Sequence, residues 1–301
     1  MNLLTRSDFD GLACAVLFKE IGLLDTWTFV HPKDLQDGLV KVSANDILAN
    51  VPYVKGCGMW FDHHTSEWKR SGRPEGFVGS LRELDSAARV VYDYFKDRHD
   101  LSMFDDMLEV VDRVDAGKLT AEELQNPTGW VLLGFIMDPR TGLGRFRDFR
   151  ISNYQLMEAL IEYCRTMTID EIMADPDVKE RTDFYLAQSK EFKNMLMTHT
   201  KAHGNVIVTD LRGVETINVG NRFMVYSLFP EQNISIWIVD GRNRINCAIA
   251  VGYSILNRTA TVNVGETLLT YGGGGHKQVG TCQVAYEESD RVIAELIEKL
   301  K

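Results

Sequence analysis

The sequence predicts an α/β protein of two domains. In the first half, short apolar runs alternate with helical spacing, as is typical of a parallel sheet with crossover helices. In the last third, strand patterns return after a long helical stretch. The length of 301 residues also fits two domains of about 100–200 residues each. The predicted strands are residues 2–4, 26–30, 46–50 and 58–61 in the first half, and 205–209, 214–219, 235–239, 245–251 and 279–285 in the second.

The domain boundary is predicted from the helical stretch between the two halves. From Trp130 to about His199 the pattern is almost wholly helical, with Pro176 separating two helices and residues 178–199 forming a long connector. We therefore expect an N-terminal parallel-sheet domain with a helical connector at residues 1–195. A smaller α/β domain with a mixed sheet is expected at residues 204–301.

The composition narrows the class of protein. Acidic residues outnumber basic ones by 43 to 33, and the formal net charge of −10 argues against coating of duplex DNA. The five cysteines are widely spaced and form no C-x-x-C pair, as is typical of a reduced protein. No apolar run approaches the ~20 residues that a membrane helix needs. The expectation is a cytoplasmic protein with no membrane segment.

The first candidate site motif lies between a predicted strand and a predicted helix. It reads Thr-Arg-Ser-Asp-Phe-Asp-Gly at residues 5–11. Asp8 and Asp10 lie two residues apart at the end of the strand and can together hold a hard divalent cation. Gly11 and the helix N-terminus suit an incoming phosphate. The alternative is that Asp10 only caps the helix.

The second motif, Phe61-Asp62-His63-His64, also follows an apolar strand. In a regular strand the two histidines would face opposite sides of the sheet, so a site that uses both requires a turn. His63 can bind a metal through one ring nitrogen while Asp62 or a backbone group holds the other. His64 can meet a phosphate or act as an acid. The alternative is a polar surface turn.

The third motif contains four consecutive glycines followed by a histidine. Such a run lowers stability unless the backbone must approach a partner closely or adopt positive φ. Its amide groups can bind an anion. A flexible linker is the alternative, but strand patterns flank the run on both sides. The proposed substrate-binding residues are Gly272, Gly273, Gly274, Gly275 and His276.

Together and in this order, the three motifs resemble the DHH phosphoesterase family, over nearly the whole chain. The Asp62–His64 triplet resembles the family signature, and the glycine run resembles the GGGGH loop of the associated C-terminal domain. The resemblance implies hydrolysis of phosphoesters with two manganese ions. Within the family, the sequence is most similar to bacterial proteins that are called exopolyphosphatase-related.

The resemblance also implies a ligand set, and the sequence departs from it at two positions. Arg6 stands where the family has His or Asp, and Asn50 stands where it has a bridging Asp. Asp115 is the expected last ligand, with Asp112 in reserve. We expect at most one well-held ion. The full predicted metal set is Asp8, Asp10, Asn50, His63 and Asp115, and the catalytic set is His64, Arg6 and Asp62.

These features predict a metal-dependent phosphoesterase with manganese or magnesium, one or two ions, as cofactor. Its partner is a small phosphorylated substrate, with short oligonucleotides and linear or cyclic dinucleotides first. Polyphosphate or pyrophosphate hydrolysis is an alternative. Another is a nucleotide- or phosphate-binding protein with impaired catalysis, which Arg6 and Asn50 favour. A homodimer is compatible with the sequence, which does not determine the oligomeric state.

Overall fold

A computed structural model describes residues 1–64 and 74–301, and the chain divides into two compact units. One unit comprises residues 1–118 and 127–184, and the other residues 119–126 and 185–301. The strands are β1 Asn2–Thr5, β2 Thr26–Phe29, β3 Asp46–Ala49, β4 Met59–Asp62, β5 Gly79–Leu81, β6 Thr200–His203, β7 Val206–Asp210, β8 Ile234–Asp240, β9 Asn246–Tyr253, β10 Gly274–Gly275 and β11 Val279–Ala285. The helices are α1 Phe9–Glu20, α2 Pro32–Gln36, α3 Ala87–Phe95, α4 Asp105–Asp115, α5 Ala121–Gln125, α6 Gly129–Met137, α7 Asn153–Thr166, α8 Ile169–Ala174, α9 Pro176–His199, α10 Met224–Leu228, α11 Val264–Leu269 and α12 Ser289–Leu300.

The first unit contains a five-stranded sheet in the order β2-β1-β3-β4-β5. All four strand pairings are parallel, so every strand ends at the same edge of the sheet. Strand β2 lies on one side of β1 and β3 lies on the other, so the strand order reverses at β1. In open α/β sheets the crevice at such a reversal of strand order is where ligands bind.

Helix α1 fixes the position of the first motif because it is enclosed on all sides. Every residue from Phe9 to Phe18 is buried. The helix packs against α3, α4 and α7 as well as the strand that precedes it. A helix that is apolar all round is typical of a buried position. The strand-to-helix turn before α1 is therefore anchored by the core on both sides.

The second unit contains a six-stranded mixed sheet in the order β10-β11-β9-β8-β7-β6. Its pairings are antiparallel except between β7 and β8. Residues on β7 alternate between the faces: Val206 and Val208 belong to the cluster with α11 and α12, and Ile207 belongs to the cluster with α9 and α10. Both faces of this sheet are therefore covered.

The α/β class with one parallel and one mixed sheet is confirmed. The predicted strand at residues 214–219 is wrong, because this segment forms no ladder and only packs Val214 and Ile217 against a core cluster. The helical prediction is also wrong for residues 138–152, which contain only two short 3₁₀ turns. The short strands β5, β6 and β10 were missed. In the described part of the chain, no helix combines the length and apolar character that crossing a bilayer requires.

Candidate metal centre

The first motif forms the turn between β1 and α1. Asp8 is the N-cap of α1, and its Oδ1 accepts a hydrogen bond from the amide of Gly11 at 2.9 Å. The residue at position 11 has to be glycine, because a Cβ there would lie 2.0 Å from the carbonyl oxygen of Arg6. The alternative in which Asp10 caps the helix is therefore wrong, since the cap is Asp8.

Asp10 is 2% exposed and is held by the N-terminus of another helix. Its Oδ2 accepts from the amide of Ala87 at 3.0 Å, and its Oδ1 accepts from the amide of Ala88 at 2.8 Å. These amides open α3, where the positive end of the helix dipole favours a carboxylate. Ser86 caps the same helix and thereby fixes both donors.

The tandem histidines follow β4, which ends at Asp62. Oδ1 of Asp62 accepts from the amide of His63 at 2.9 Å and pairs with Nδ1 of His64 at 2.8 Å. Nδ1 of His63 lies 3.0 Å from the carbonyl oxygen of Leu84. Because a carbonyl only accepts, this contact assigns the proton to Nδ1 and leaves Nε2 as an acceptor. The two rings lie 4.3 Å apart, so the chain turns here as a shared site requires.

Nε2 of His63 faces two carboxylates from other parts of the chain. It lies 3.3 Å from Oδ2 of Asp115 and 3.8 Å from Oδ2 of Asp10. The ligand atoms of these three residues lie within 4.8 Å of one another, as a cation site requires. Asp112 is engaged elsewhere: Ser86 donates to its Oδ1 at 2.6 Å and Arg89 donates to its Oδ2 at 2.8 Å.

Asp8 lies in a different environment, where two hydrogen bonds and an ion pair already engage its carboxylate. Besides the Gly11 amide, Nδ2 of Asn50 donates to Oδ1 at 3.1 Å. Nε of Arg6 lies 3.2 Å from Oδ2. Asn50 follows β3 with φ of 56°, a left-handed conformation that Asn adopts more readily than most residues. The guanidinium therefore points at Asp8 and not outward to solvent.

The charges in the site shift the pKa values of its side chains. Burial, and then the charge of Asp115, raise the pKa of Asp10 to about 7 although His63 opposes the shift. Burial by itself would lower the pKa of His64. The hydrogen bond and the charge of Asp62 outweigh this and raise it to about 9, so the ring of His64 is cationic at neutral pH. The acidic cluster is thus under repulsion that a bound cation would relieve.

Three polar atoms fit the chemistry of a divalent cation. Oδ1 of Asn50, Oδ2 of Asp62 and Nε2 of His63 are buried and have no hydrogen-bond partner in residues 1–64 and 74–301. Buried polar atoms are rarely left without a partner unless something else satisfies them. Carboxylate, amide and imidazole donors together suit Mn²⁺ or Mg²⁺, although Mg²⁺ prefers oxygen.

The glycine run lies in the second unit and is largely explained by packing. A Cβ at Gly273 would lie 2.3 Å from the carbonyl oxygen of Thr281, and one at Gly275 would lie 2.3 Å from that of Val279. Gly275 pairs with Gly280 in the ladder between β10 and β11. At Gly274 a Cβ would meet only Leu269, at 4.0 Å. Binding of substrate by this loop and by His276 stays a prediction.

Sequence reasoning missed the groups that hold the site together. The carbonyl of Leu84 and the pair of Arg89 with Asp112 were not assigned to it. The helix start at residues 86–88 was predicted to lie under the site or to be only a cap, and its amides were not assigned to Asp10. The signal that was present is Ser86, whose type marks the start of a helix soon after the histidines. Backbone donors and acceptors carry no side-chain signature, so only their placement in the fold reveals them.

A five-stranded parallel sheet with aspartates and paired histidines at the ends of its strands, joined to a second unit with a glycine-rich strand pair, defines a phosphoesterase of the DHH class. Neither a library of family models nor a collection of curated proteins contains a match. Solved structures do match. The chain is similar to PggH, a pGpG-specific phosphodiesterase from Vibrio cholerae, with 45% identity, a TM-score of 0.87, and coverage of 99% of this chain and 98% of PggH.

Two more distant structures share the fold. RecJ from Thermus thermophilus in complex with Mn²⁺ is 13% identical with a TM-score of 0.55, over 99% of this chain and 51% of RecJ. The Mg²⁺ complex of RecJ is 13% identical with a TM-score of 0.53, and the match covers 99% of this chain and 48% of RecJ. With the identity to PggH over its full length, the chain belongs to the DHH phosphoesterase family and is a hydrolase.

We expect Asp115→Ala to lower the affinity for manganese by about a hundredfold or more, because it removes a ligand atom of the site. Asp112→Ala is the matched control on the same helix. It should lower the free energy of unfolding by about 1–3 kcal/mol, since it leaves Ser86 and Arg89 without their acceptor, and affect manganese affinity less. Calorimetric titration and urea unfolding measure the two quantities. Equal losses of manganese affinity would contradict the assignment of Asp115.

The glycines of β10 should differ in their tolerance of a side chain. Gly275→Ala is expected to lower the free energy of unfolding by about 1–3 kcal/mol, because φ of 155° and the Val279 carbonyl both oppose a Cβ. Gly274→Ala should change it by less than about 0.5 kcal/mol. Urea unfolding of the two variants measures this, and equal destabilisation would disprove the packing explanation.

Proposed function

We propose that this chain is a metal-dependent phosphodiesterase that hydrolyses a linear dinucleotide. The observation that carries the proposal is the 45% identity over the full chain to a phosphodiesterase specific for pGpG, a linear dinucleotide. The distant RecJ structures add a fold that holds Mn²⁺ or Mg²⁺ in another protein. Hydrolysis of polyphosphate, the alternative within the family, has no such specific support.

In this proposal Asp10, His63 and Asp115 hold one divalent cation. When bound, the cation supplies Lewis-acid stabilisation of the charge that builds up on the phosphoryl oxygens. Asp62 orients His64 through Nδ1, which leaves Nε2 of His64 to donate a hydrogen bond to the phosphoryl group or the leaving oxygen. The amides at the start of α3 keep Asp10 in place throughout.

Arg6 takes the electrostatic role that a second cation would have beside Asp8. Its Nε lies 3.2 Å from Oδ2 of Asp8, and the interaction of unit charges at ~4 Å is roughly 4 kcal/mol at an effective dielectric near 20. Repulsion of this size opposes a divalent ion next to the guanidinium. Oδ1 of Asp8 accepts from both the Gly11 amide and Nδ2 of Asn50. These two hydrogen bonds use the lone pairs that this oxygen would otherwise offer to an ion. The proposed stoichiometry is one ion per chain.

The test of activity is hydrolysis of a 5′-phosphorylated linear dinucleotide with manganese. Asp10→Ala should lower the turnover number by about a thousandfold, because loss of the cation removes several kcal/mol of stabilisation and each 1.36 kcal/mol is a factor of ten. Asp93→Ala, which removes the acceptor of ion pairs with Arg82 and Lys96 near the C-terminal end of α3, is the control and should retain wild-type turnover. Product formation is followed by chromatography.

The same assay separates the candidate functions. Cyclic dinucleotides, polyphosphate and pyrophosphate are run beside the linear dinucleotide. Turnover of polyphosphate or pyrophosphate alone would replace the proposal with that activity. Binding of the dinucleotide without turnover of any of the four would show a binding protein with impaired catalysis.

The test of stoichiometry is a manganese titration of the metal-free protein by calorimetry. The wild type is expected to bind one ion tightly. The double variant Arg6→His and Asn50→Asp should gain a second ion, because it replaces a cation and an amide beside Asp8 with an imidazole and a carboxylate. Two tight ions in the wild type would contradict the role given to Arg6.

A further inference from the structure

The segment that follows α6 is basic in a chain that is acidic overall. Residues 138–150 contain four arginines and two aspartates, whereas the whole chain has a net charge of −10. The segment has no regular structure beyond two 3₁₀ turns, Pro139–Thr141 and Leu143–Arg145. It is nevertheless anchored, since Thr141 and Leu143 are buried. A basic, ordered loop in an acidic protein suggests that it meets an anion.

The loop starts beside the metal centre. Gly134, one turn before the end of α6, packs so closely on Phe9 that a Cβ there would lie 2.9 Å from the Phe9 ring. Phe9 is the residue between Asp8 and Asp10. Trp130 of the same helix stacks on the Phe9 ring, with centroids 6.2 Å apart. Helix α6 therefore packs against the first motif, and the basic loop follows its C-terminal end.

The four arginines of the segment differ in their surroundings. Arg150 pairs with Asp177 at 2.7 and 2.8 Å, in a contact between segments of the helical part. Arg145 lies over Gly142, because a Cβ added to Gly142 would be 2.3 Å from Nη2 of Arg145. Arg147 is exposed. Arg140 remains.

Arg140 is held in place by Asp138. Oδ1 of Asp138 accepts from the backbone amide of Arg140 at 2.8 Å and from its Nε at 2.7 Å. In the described residues neither terminal nitrogen of the guanidinium makes a hydrogen bond, and the side chain is 45% exposed. Burial acts against the charge, but Asp138, and then Asp8 and Asp115, raise the pKa of Arg140 above its usual value. The guanidinium is thus pre-oriented with its fork free.

We propose that Arg140 binds a phosphate group of the substrate beside the metal centre, with Asp138 as the positioning residue that orients its guanidinium. A planar fork with two free N–H donors matches two oxygens of a phosphate. This inference rests on the proposed function, because it specifies a further substrate-binding residue of the same site. It also explains why one arginine of the loop is fixed at Nε and left open at its terminal nitrogens.

The test measures binding and turnover of a 5′-phosphorylated linear dinucleotide by the full chain with manganese. Binding is measured by calorimetry with a phosphorothioate-linked analogue, and KM and the turnover number with the natural linkage. Arg140→Gln should weaken binding and raise KM by about tenfold or more, since it removes a charge-assisted contact. Arg140→Lys should fall in between, because it keeps the charge and loses the fork. The dependence of Kd on salt should be shallower for Arg140→Gln.

The matched control is Arg98→Gln. Arg98 lies past the C-terminal end of α3, opposite the end that holds Asp10, and stacks on Tyr94 and Phe95. Its loss should change KM by less than about twofold. Manganese affinity should be no lower in Arg140→Gln than in the wild type, because the variant removes a positive charge near Asp115 and no ligand atom. This separates substrate binding from damage to the metal site.

A dinucleotide without the 5′-phosphate identifies which phosphate Arg140 meets. Weakened binding of both dinucleotides assigns Arg140 to the internucleotide phosphate, and weakening only with the 5′-phosphate present assigns it to the terminal one. Unchanged KM and Kd in Arg140→Gln, in a wild type that hydrolyses the substrate, would overturn the inference alone. A wild type that hydrolyses nothing would instead overturn the proposed function.

Discussion

The candidate metal centre depends on how one buried carboxylate is held. Asp10 is almost fully removed from water, and a buried carboxylate is costly unless hydrogen bonds compensate it. The two amides at the start of α3 provide those bonds, and Ser86 keeps the amides in position by capping the helix. The carboxylate that faces His63 is therefore fixed by the start of a helix 77 residues further along the chain.

The same helix start connects to Asp115 through a second set of polar contacts. Ser86 and Arg89 both donate to Asp112, one turn before Asp115 on α4. The result is that α3 and α4 are joined where each presents a group to the site. His63 is positioned independently, by the carbonyl of Leu84 at its other ring nitrogen. Three elements thus converge on the site through contacts between segments that are distant in the sequence.

The two aspartates of the first motif differ in how their negative charges are compensated. Asp8 has a guanidinium, an amide and a backbone N–H on its carboxylate, so its charge is already compensated. In residues 1–64 and 74–301 the hydrogen bonds to Asp10 come from the two amides, and Asp10 lies close to Asp115, so a cation would relieve the repulsion there. The charge of one aspartate of the motif is compensated by the chain, and the other belongs to the candidate cation site.

The sequence by itself determined the α/β class, the strand ends that carry Asp8, Asp10 and Asp62, and the family. Those features are local, because alternating apolar runs and motifs of adjacent residues can be read without the fold. It did not determine the absence of an α-helix at residues 138–152 or the failure of residues 214–219 to pair. Apolar spacing at residues 214–219 reflects packing against a core and not a ladder.

Only the tertiary structure decided which groups meet. Asp112 and Asp115 lie on the same helix face by spacing, and the choice between them follows from where Ser86 and Arg89 stand. The sequence leaves open whether Arg6 points outward to solvent, and in the structure its Nε lies 3.2 Å from Oδ2 of Asp8. Arg140 is far from Asp8 along the chain, so no local pattern could place it near the site. Contacts between distant segments depend on how the core packs, and that is a property of the whole chain.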